Sequence, residues 1–308
     1  MTIAGAYLEF GSREARGNSP TYDKLCTAIA ADDDLLELLA SLPPAKQQPN
    51  LLFGVVRFLG GPVTVPAFHD FVVDNWAAVS SEVLRRAVQT NEIGRCAALM
   101  PVLACLPQPV SLIDIGTSAG LSLFSDKYAY RYGDTTIGQS TVTLDCDAVG
   151  ITLPAALPTV AWRAGVDLNP LDITDPSDAA WLEALVWPEQ EHRRERLRAA
   201  IAIARADPPR LVRGGLETVS DLVARAPEGT TPVVCHTSVL YQVPPAERAA
   251  FIETVQRLPG HWISVEGPDV VDVGDLPAPP DDSALNVLAL DGKPLAWVRG
   301  HGQAMFGL

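Results

Sequence analysis

The chain has 308 residues, 47% of them hydrophobic, and a formal net charge of −14. Its length suffices for a large core and about two domains. The acidic balance excludes a basic stripe of the kind nucleic acid or an acidic membrane surface requires. No apolar run reaches the ~18 residues of a membrane helix. Residues 1–14 lack the basic-then-apolar order of a secretory signal, so the expected location is the cytoplasm. The basic patch from His192 to Arg198 has Glu195 inside it and reads as a solvated helix face. Cys26, Cys96, Cys105, Cys146 and Cys235 contain no C-x-x-C pair, so buried reduced thiols are expected and no metal site.

Residues 1–105 read as helical throughout. Asp32-Asp33-Asp34 before Leu35, Leu36, Leu38 and Leu39 is a helix start with acids in its first turn, and Pro43-Pro44 ends it. Residues 50–59 are an apolar run closed by Gly60-Gly61-Pro62. Ser80-Ser81 reads as the cap of a helix carrying Val83, Leu84, Ala87 and Val88. A last helix, 91–106, puts Ile93, Cys96, Ala97, Met100 and Leu103 on one face, with Pro101 as a candidate kink. His69, between Phe68 and Phe71, reads as a core histidine. Residues 16–22 form a turn dense in hydrogen-bonding side chains. Gln89-Thr90-Asn91-Glu92 leads into Arg95. Either Thr90 or Asn91 caps the helix there, or Asn91, Glu92 and Arg95 project over the next segment and close a ligand pocket.

That segment, 110–124, organises the rest. An apolar run over 112–115 ends in Gly116-Thr117-Ser118-Ala119-Gly120, and apolar spacing resumes at Leu121, Leu123 and Phe124. A buried strand, a tight glycine turn and the first turn of a helix are predicted. Such a turn aims N–H groups and a helix dipole at polar or anionic oxygens, and Gly116 and Gly120 permit close approach. Three readings are open. Asp114-x-Gly116-x-Ser118-x-Gly120 resembles the first motif of class I S-adenosylmethionine-dependent methyltransferases. Gly116-x-Ser118-x-Gly120 also matches the nucleophile elbow of α/β-hydrolases. The third is a structural turn that binds nothing.

Residues 125–158 read as an insertion, with a strand at 140–146 that could pair with 149–153 in a small hairpin. The strand from Val160 ends in Gly165-Val166-Asp167-Leu168-Asn169-Pro170. It resembles the second-strand edge of the same methyltransferases, where a carboxylate accepts both ribose hydroxyl protons. Asp172 and Asp175 could share that role, or the acid-rich turn only caps a helix at 177–185. Trp187-Pro188-Glu189 opens a long helix with Leu197, Ala200, Ile201 and Ala204 as its buried stripe. Residues 210–217 are a short strand into a turn. The methyltransferase pattern often has an adenine-binding acid here; this chain has Gly215, with Glu217 as one substitute. The strand from Thr231 carries Cys235-His236-Thr237 at its carboxyl end, where open α/β sheets bind ligands, so His236 is expected to face a pocket. A helix at 245–258, a strand ending in Glu266, an Asp/Pro-rich loop at 268–282 and a hairpin turning at Asp291-Gly292 complete the chain.

The alternation after residue 110 predicts an α/β fold. Its sheet is Rossmann-like and of the class I methyltransferase type, mostly parallel with a terminal antiparallel hairpin. An all-helical lobe, 1–105, precedes this domain, 106–308, which holds the insertion near 125–158. A hydrolase would combine Ser118 with Asp269 or Asp272 and His301 on a truncated sheet. Asp114, Asp167 and the polar strand end at His236 match the methyltransferase layout instead.

Four strings, Val-Gln-Thr-Asn-Glu-Ile-Gly-Arg-Cys (88–96), Asp-Ile-Gly-Thr-Ser-Ala-Gly-Leu (114–121), Asp-Leu-Asn-Pro-Leu-Asp (167–172) and Val-Trp-Pro-Glu-Gln (186–190), together resemble an uncharacterised bacterial family, domain of unknown function 2332. The resemblance covers nearly the whole chain. It implies a methyltransferase-like α/β domain behind a helical N-terminal region and implies no substrate. The expected function is S-adenosylmethionine-dependent methyl transfer to an unknown small-molecule acceptor. Gly116, Ser118 and Gly120 are expected against the methionine part and ribose, Asp114 at the methionine amine, Asp167 at the ribose and Glu217 at the adenine. His236 is the candidate general base, or else a structural hydrogen-bonding residue. Asn91, Glu92, Arg95, Trp187, Glu189 and Tyr241 shape the acceptor pocket. The alternatives are a non-catalytic Rossmann-like nucleotide or metabolite binder and a serine hydrolase using Ser118.

Overall fold

The computed structural model describes residues 1–89, 91–281 and 283–308. Thr90, one of the two candidate caps, and Asp282, the end of the Asp/Pro-rich loop, lie outside the described residues. The chain divides into two compact units. One comprises Met1–Thr90 and Thr174–Arg198; the other comprises Asn91–Ile173 and Ala199–Leu308.

The first unit contains α1 (Ile3–Phe10), α2 (Pro20–Ala30), α3 (Asp33–Ala40), α4 (Pro49–Phe58), α5 (Ala67–Asp74) and α6 (Trp76–Arg85). Next in the chain, α7 (Cys96–Cys105) belongs to the second unit. The first unit resumes with α8 (Pro176–Leu185) and the opening half of α9 (Glu191–Ala206). The helical part therefore ends before residue 105 and recruits a later segment. As expected, Asp32 caps α3 by accepting from Leu35 N at 3.0 Å, with Asp33 and Asp34 in the first turn. α4 is buried from Leu51 to Val56, and a Cβ on Gly54 would lie 3.0 Å from Trp181, so only glycine admits α8 at that distance.

Several local expectations change. Ser80 and Ser81 lie inside α6 rather than at its start. Residues 187–190 precede α9 instead of opening it. His69 is half-buried and pairs with Asp32 at 2.7 Å, and that hydrogen bond raises its pKa above the ordinary imidazole value. Cys105 is exposed at the end of α7; the other four cysteines are buried thiols. The basic patch is a helix face laced with ion pairs, Arg194 to Glu191 and Arg198 to Glu183.

The second unit is built on a nine-stranded sheet. Its strands are β1 (Val110–Ile115), β5 (Asp147–Val149), β6 (Val160–Asp167), β7 (Arg210–Arg213), β8 (Thr231–Thr237), β9 (His261–Glu266), β10 (Leu285–Leu290), β11 (Lys293–Arg299) and β12 (Ala304–Gly307). They lie in the order β5-β12-β11-β10-β9-β8-β1-β6-β7. Strands β7, β6, β1, β8 and β9 are parallel, β9 to β12 pair antiparallel in succession, and β5 pairs parallel with β12. Every residue of β1 is buried, as a central parallel strand covered on both faces requires. One face packs Ile113, Ile115, Val166, Val234 and Trp262 against Val219, Leu222 and Val223 of α10 (Val219–Ala224) and Phe251 and Val255 of α11 (Pro245–Val255). No helix among the described residues is long and apolar enough to cross a membrane.

The insertion is a separate three-stranded sheet in the order β3-β2-β4, from β2 (Ala129–Tyr132), β3 (Thr135–Ile137) and β4 (Thr143–Asp145). The hairpin is thus β2–β3, not the expected pairing of 140–146 with 149–153, and β5 joins β12 in the large sheet. The signal was the period-2 spacing of Tyr128, Tyr130 and Tyr132, all buried.

Candidate functional site

The glycine turn sits where the sheet changes direction: from β1 the chain winds to β6 and β7 on one side and to β8 and β9 on the other. Such a switch point is where open α/β sheets place ligands. Locally the turn is closed. Gly116 and Gly120 adopt positive φ of 68° and 74°, and Ser118 one of 53°. Gly116 N and Thr117 N donate to Val166 O at 2.8 and 3.2 Å, Gly120 N to Thr117 O at 2.8 Å, and Ser118 N to Asp167 Oδ2 at 2.8 Å. A Cβ at Gly116 would meet Val239 at 2.6 Å, one at Gly120 would meet Pro209 at 2.9 Å, and one at Gly165 would meet Thr117 at 2.5 Å. The glycines serve internal packing.

No helix follows the turn. Leu121–Phe124 forms a single 3-10 turn, so the expected helix dipole is missing. Tyrosine hydroxyls take the carbonyls a helix would use: Tyr128 donates to Leu121 O at 2.7 Å and Tyr130 to Ser125 O at 2.6 Å. The strand–turn–helix context of a nucleophile elbow is likewise not formed. Ser118 Oγ accepts from Asn91 Nδ2.

Asp167 does turn onto the glycine bend. Besides Ser118 N, it accepts from Asn169 N at 2.8 Å through Oδ1. Asp114 lies beneath the turn, 5% exposed, accepting from Ser122 Oγ and, at 3.6 Å, from Cys235 Sγ. Burial pushes its carboxyl pKa up, and the Ser122 bond only partly offsets that.

His236 is fully buried on the α11 side of the sheet. Trp262 Nε1 donates to its Nε2 at 2.9 Å, so Nδ1 carries the ring proton and donates to Glu266 Oε1 at 2.8 Å. Both nitrogens are engaged, which is the structural reading of this histidine and leaves no lone pair for a substrate proton. Glu266, 2% exposed, also accepts from Val239 N and Leu240 N at 2.9 and 3.1 Å through the same Oε1. Burial pushes the Glu266 pKa up, but His236 and the two amides outweigh it and hold the carboxyl below its usual value.

A cleft of about 620 Å³ opens beside Glu266 at the carboxyl ends of β8 and β9. Arg95, Ser238, Tyr241, Asn286, Trp297 and His301 line it, with apolar walls from Val270 and Leu285. Arg95 and Tyr241 are among the residues that the sequence places at a pocket; Glu266 is legible there only as a strand end, and Trp297 has no signal beyond its place in the hairpin. Arg95 donates to Thr237 O at 2.8 Å and Gly300 O at 3.1 Å, and burial lowers its pKa. Glu92 caps the turn before α7 by accepting from Gly94 N at 2.9 Å. Two buried polar atoms of residues that line the cleft, Glu266 Oε2 and Trp297 Nε1, have no hydrogen-bond partner among the described residues.

The remaining expected residues lie elsewhere. Trp187 packs on Phe10 and Tyr22 at 5.9 and 5.6 Å within the helical unit. In that unit Glu189 receives Ser19 Oγ at 2.6 Å and Thr21 N at 2.9 Å; these bonds outweigh burial and lower its pKa. Glu217 is exposed and folds back to accept from Gly215 N at 3.0 Å.

Fold and site define a mixed α/β protein with a large, mostly parallel sheet, a helical N-terminal region and polar groups gathered at the sheet's carboxyl edge. Over residues 4–305 the chain matches, and belongs to, the family described as an uncharacterized protein conserved in bacteria (DUF2332). No curated protein matches it.

Proposed function

We propose that the sheet unit binds a small polar metabolite, and that the ligand occupies the cleft beside β8, β9 and β10 rather than the glycine turn. Glu266 Oε2 and Trp297 Nε1 support this reading: both are buried, both lack a partner among the described residues, and both belong to residues that line the cleft. An unpaired buried donor or acceptor costs about 1–3 kcal/mol, a cost that a ligand with complementary groups would remove. His236 acts here through Glu266, fixing the carboxylate by one oxygen and leaving the other unpaired. Screening the intact protein against a library of polar metabolites by thermal shift tests it, with quenching of Trp297 fluorescence as a second readout. A library without a single binder at millimolar concentration would overturn it.

Methyl transfer is the second reading. The parallel order β7-β6-β1-β8-β9 matches the 3-2-1-4-5 order of dinucleotide-binding sheets, and Asp167 is turned onto the bend at their switch point. S-adenosylmethionine would supply an activated methyl group. Asp167, each of whose oxygens accepts one N–H and has a second lone pair, would hold the ribose hydroxyls. Ser118 and Asn91 would lie alongside, and the cleft would seat the acceptor. The closed turn, with its amides consumed and Val239 against Gly116, weighs against a deep cofactor cradle. Calorimetric titration with S-adenosylmethionine separates the two readings: heat that disappears in Asp167→Ala supports methyl transfer, and no heat at millimolar concentration removes it.

A further inference from the structure

The cleft carries a charge pattern as well as unpaired atoms. Glu266 Oε1 is saturated by three donors, one from a ring and two from backbone amides. The carboxylate is therefore locked, and its Oε2 is a buried, unpaired acceptor on a residue that lines the cleft. Opposite in kind are two donors. Trp297 Nε1–H has no partner among the described residues. Arg95, half-buried, bonds only to carbonyl and hydroxyl oxygens there; its contacts with Thr237 and Gly300 include no carboxylate. Glu92 and Glu266 act on the guanidinium through charge without a hydrogen bond to it among the described residues, and a carboxylate in the cleft could add charge-assisted bonds.

The register ties these groups to one place. Glu266 pairs with Val287, and Val287 pairs with Trp297, so the three stand in a row across β9, β10 and β11 on the same sheet face. Neighbouring strands are about 4.8 Å apart, which separates the Glu266 and Trp297 backbones by roughly 10 Å. A small molecule lying between them can reach both. The apolar walls from Val270 and Leu285 suit a hydrocarbon portion.

We infer that the cleft recognises a small zwitterion of the amino-acid class, its ammonium on Glu266 Oε2 and its carboxylate on Trp297 Nε1 and the Arg95 guanidinium. This rests on the cleft being the ligand site and names the class of ligand it takes. The lowered pKa of Glu266 agrees with it, since an ionised carboxylate is the form that holds an ammonium.

The test uses the full chain and isothermal titration with L-leucine, 3-methylbutan-1-amine and 4-methylpentanoic acid, followed by the other α-amino acids. The amine and the acid are the two halves of leucine, each lacking one charged group. At least one amino acid is expected to bind ten-fold or more tightly than either of its halves. Trp297→Phe keeps the ring and removes the N–H, and is expected to weaken binding of the amino acid and the acid several-fold while leaving the amine unchanged. Glu266→Gln is expected to weaken the amino acid and the amine at least ten-fold; because that carboxylate also anchors Val239 and Leu240, its folding is checked by circular dichroism, and Trp297→Phe decides alone where it fails. Halves that bind as tightly as the whole, or unaltered affinity in Trp297→Phe, overturn the inference and leave the proposed ligand site standing. If nothing in the metabolite library binds, both fall.

Discussion

The glycine turn after β1 and the cleft beside β9 belong to one compact unit and hold similar groups: acids, backbone amides, a few hydroxyls. In the turn the backbone amides and the acid are used, while Thr117 Oγ1 is buried without a partner among the described residues. The amides of Gly116, Thr117, Ser118 and Gly120 donate inside the protein, and Asp167 receives two of its own neighbours. In the cleft, Glu266 keeps one oxygen unpaired and Trp297 one N–H. Motifs advertise the first region, whereas an unpaired carboxylate oxygen and an unpaired indole N–H mark the second. Buried polar groups are hydrogen-bonded almost everywhere in folded proteins, so the exceptions point to missing partners.

The sharpest way to break this contrast is at the carboxylate that spans both roles. Glu266→Ala strips the acceptor from His236, Val239 and Leu240 and is expected to destabilise the protein by about 3–5 kcal/mol, read from urea denaturation. A loss below about 1 kcal/mol would mean that Oε1 is not locked. Next, Gly116→Ala adds a methyl 2.6 Å from Val239 at a φ of 68° and should cost about 2–3 kcal/mol. Gly133→Ala, at a φ of 56° with nothing within 4 Å, should cost only about 1 kcal/mol. Equal losses would show that the turn is not packed shut. Asp167→Ala leaves the amides of Ser118 and Asn169 to water at a half-exposed site, for a loss of about 1 kcal/mol.

The smallest effects lie in pH dependence, and they have opposite signs. The folded pKa of Glu266 is lowered, so its contribution to stability is present above the ordinary carboxylate range and lost as pH falls through the folded value. The folded pKa of Asp114 is raised, so its contribution is present below that range and lost as pH rises through the folded value. Denaturation free energies measured across pH should therefore flatten on the acid side in Glu266→Gln and on the higher-pH side in Asp114→Asn. Identical profiles in the two variants would contradict the different surroundings of the two acids.

Much of the sheet was legible because parallel strands are short apolar runs with turn residues after them; β1, β6, β8 and β9 and the terminal hairpin follow that pattern. The strand ends were legible too, and Arg95 and Tyr241, expected at a ligand pocket, line the cleft. His236 misled because periodicity gives a position along a strand but not which face is covered by α11. The helix after the glycine turn misled because apolar spacing at Leu121 and Phe124 suits a 3-10 turn equally well; what stops it is Tyr128, seven residues away from the carbonyl it occupies. Trp297 was silent because its importance depends on sharing Val287 with Glu266, a register that a single strand's sequence does not contain.

The tyrosines in and just before β2 have one more consequence. Tyr128 and Tyr130 donate to carbonyls of the segment just before them, and Tyr132 to Ala97 O on α7 at 2.6 Å. The small sheet is thus a splint for the chain leaving β1, and it fastens that chain to α7. Excising residues 125–158 would therefore release the switch point itself, however peripheral the segment looks in a topology diagram.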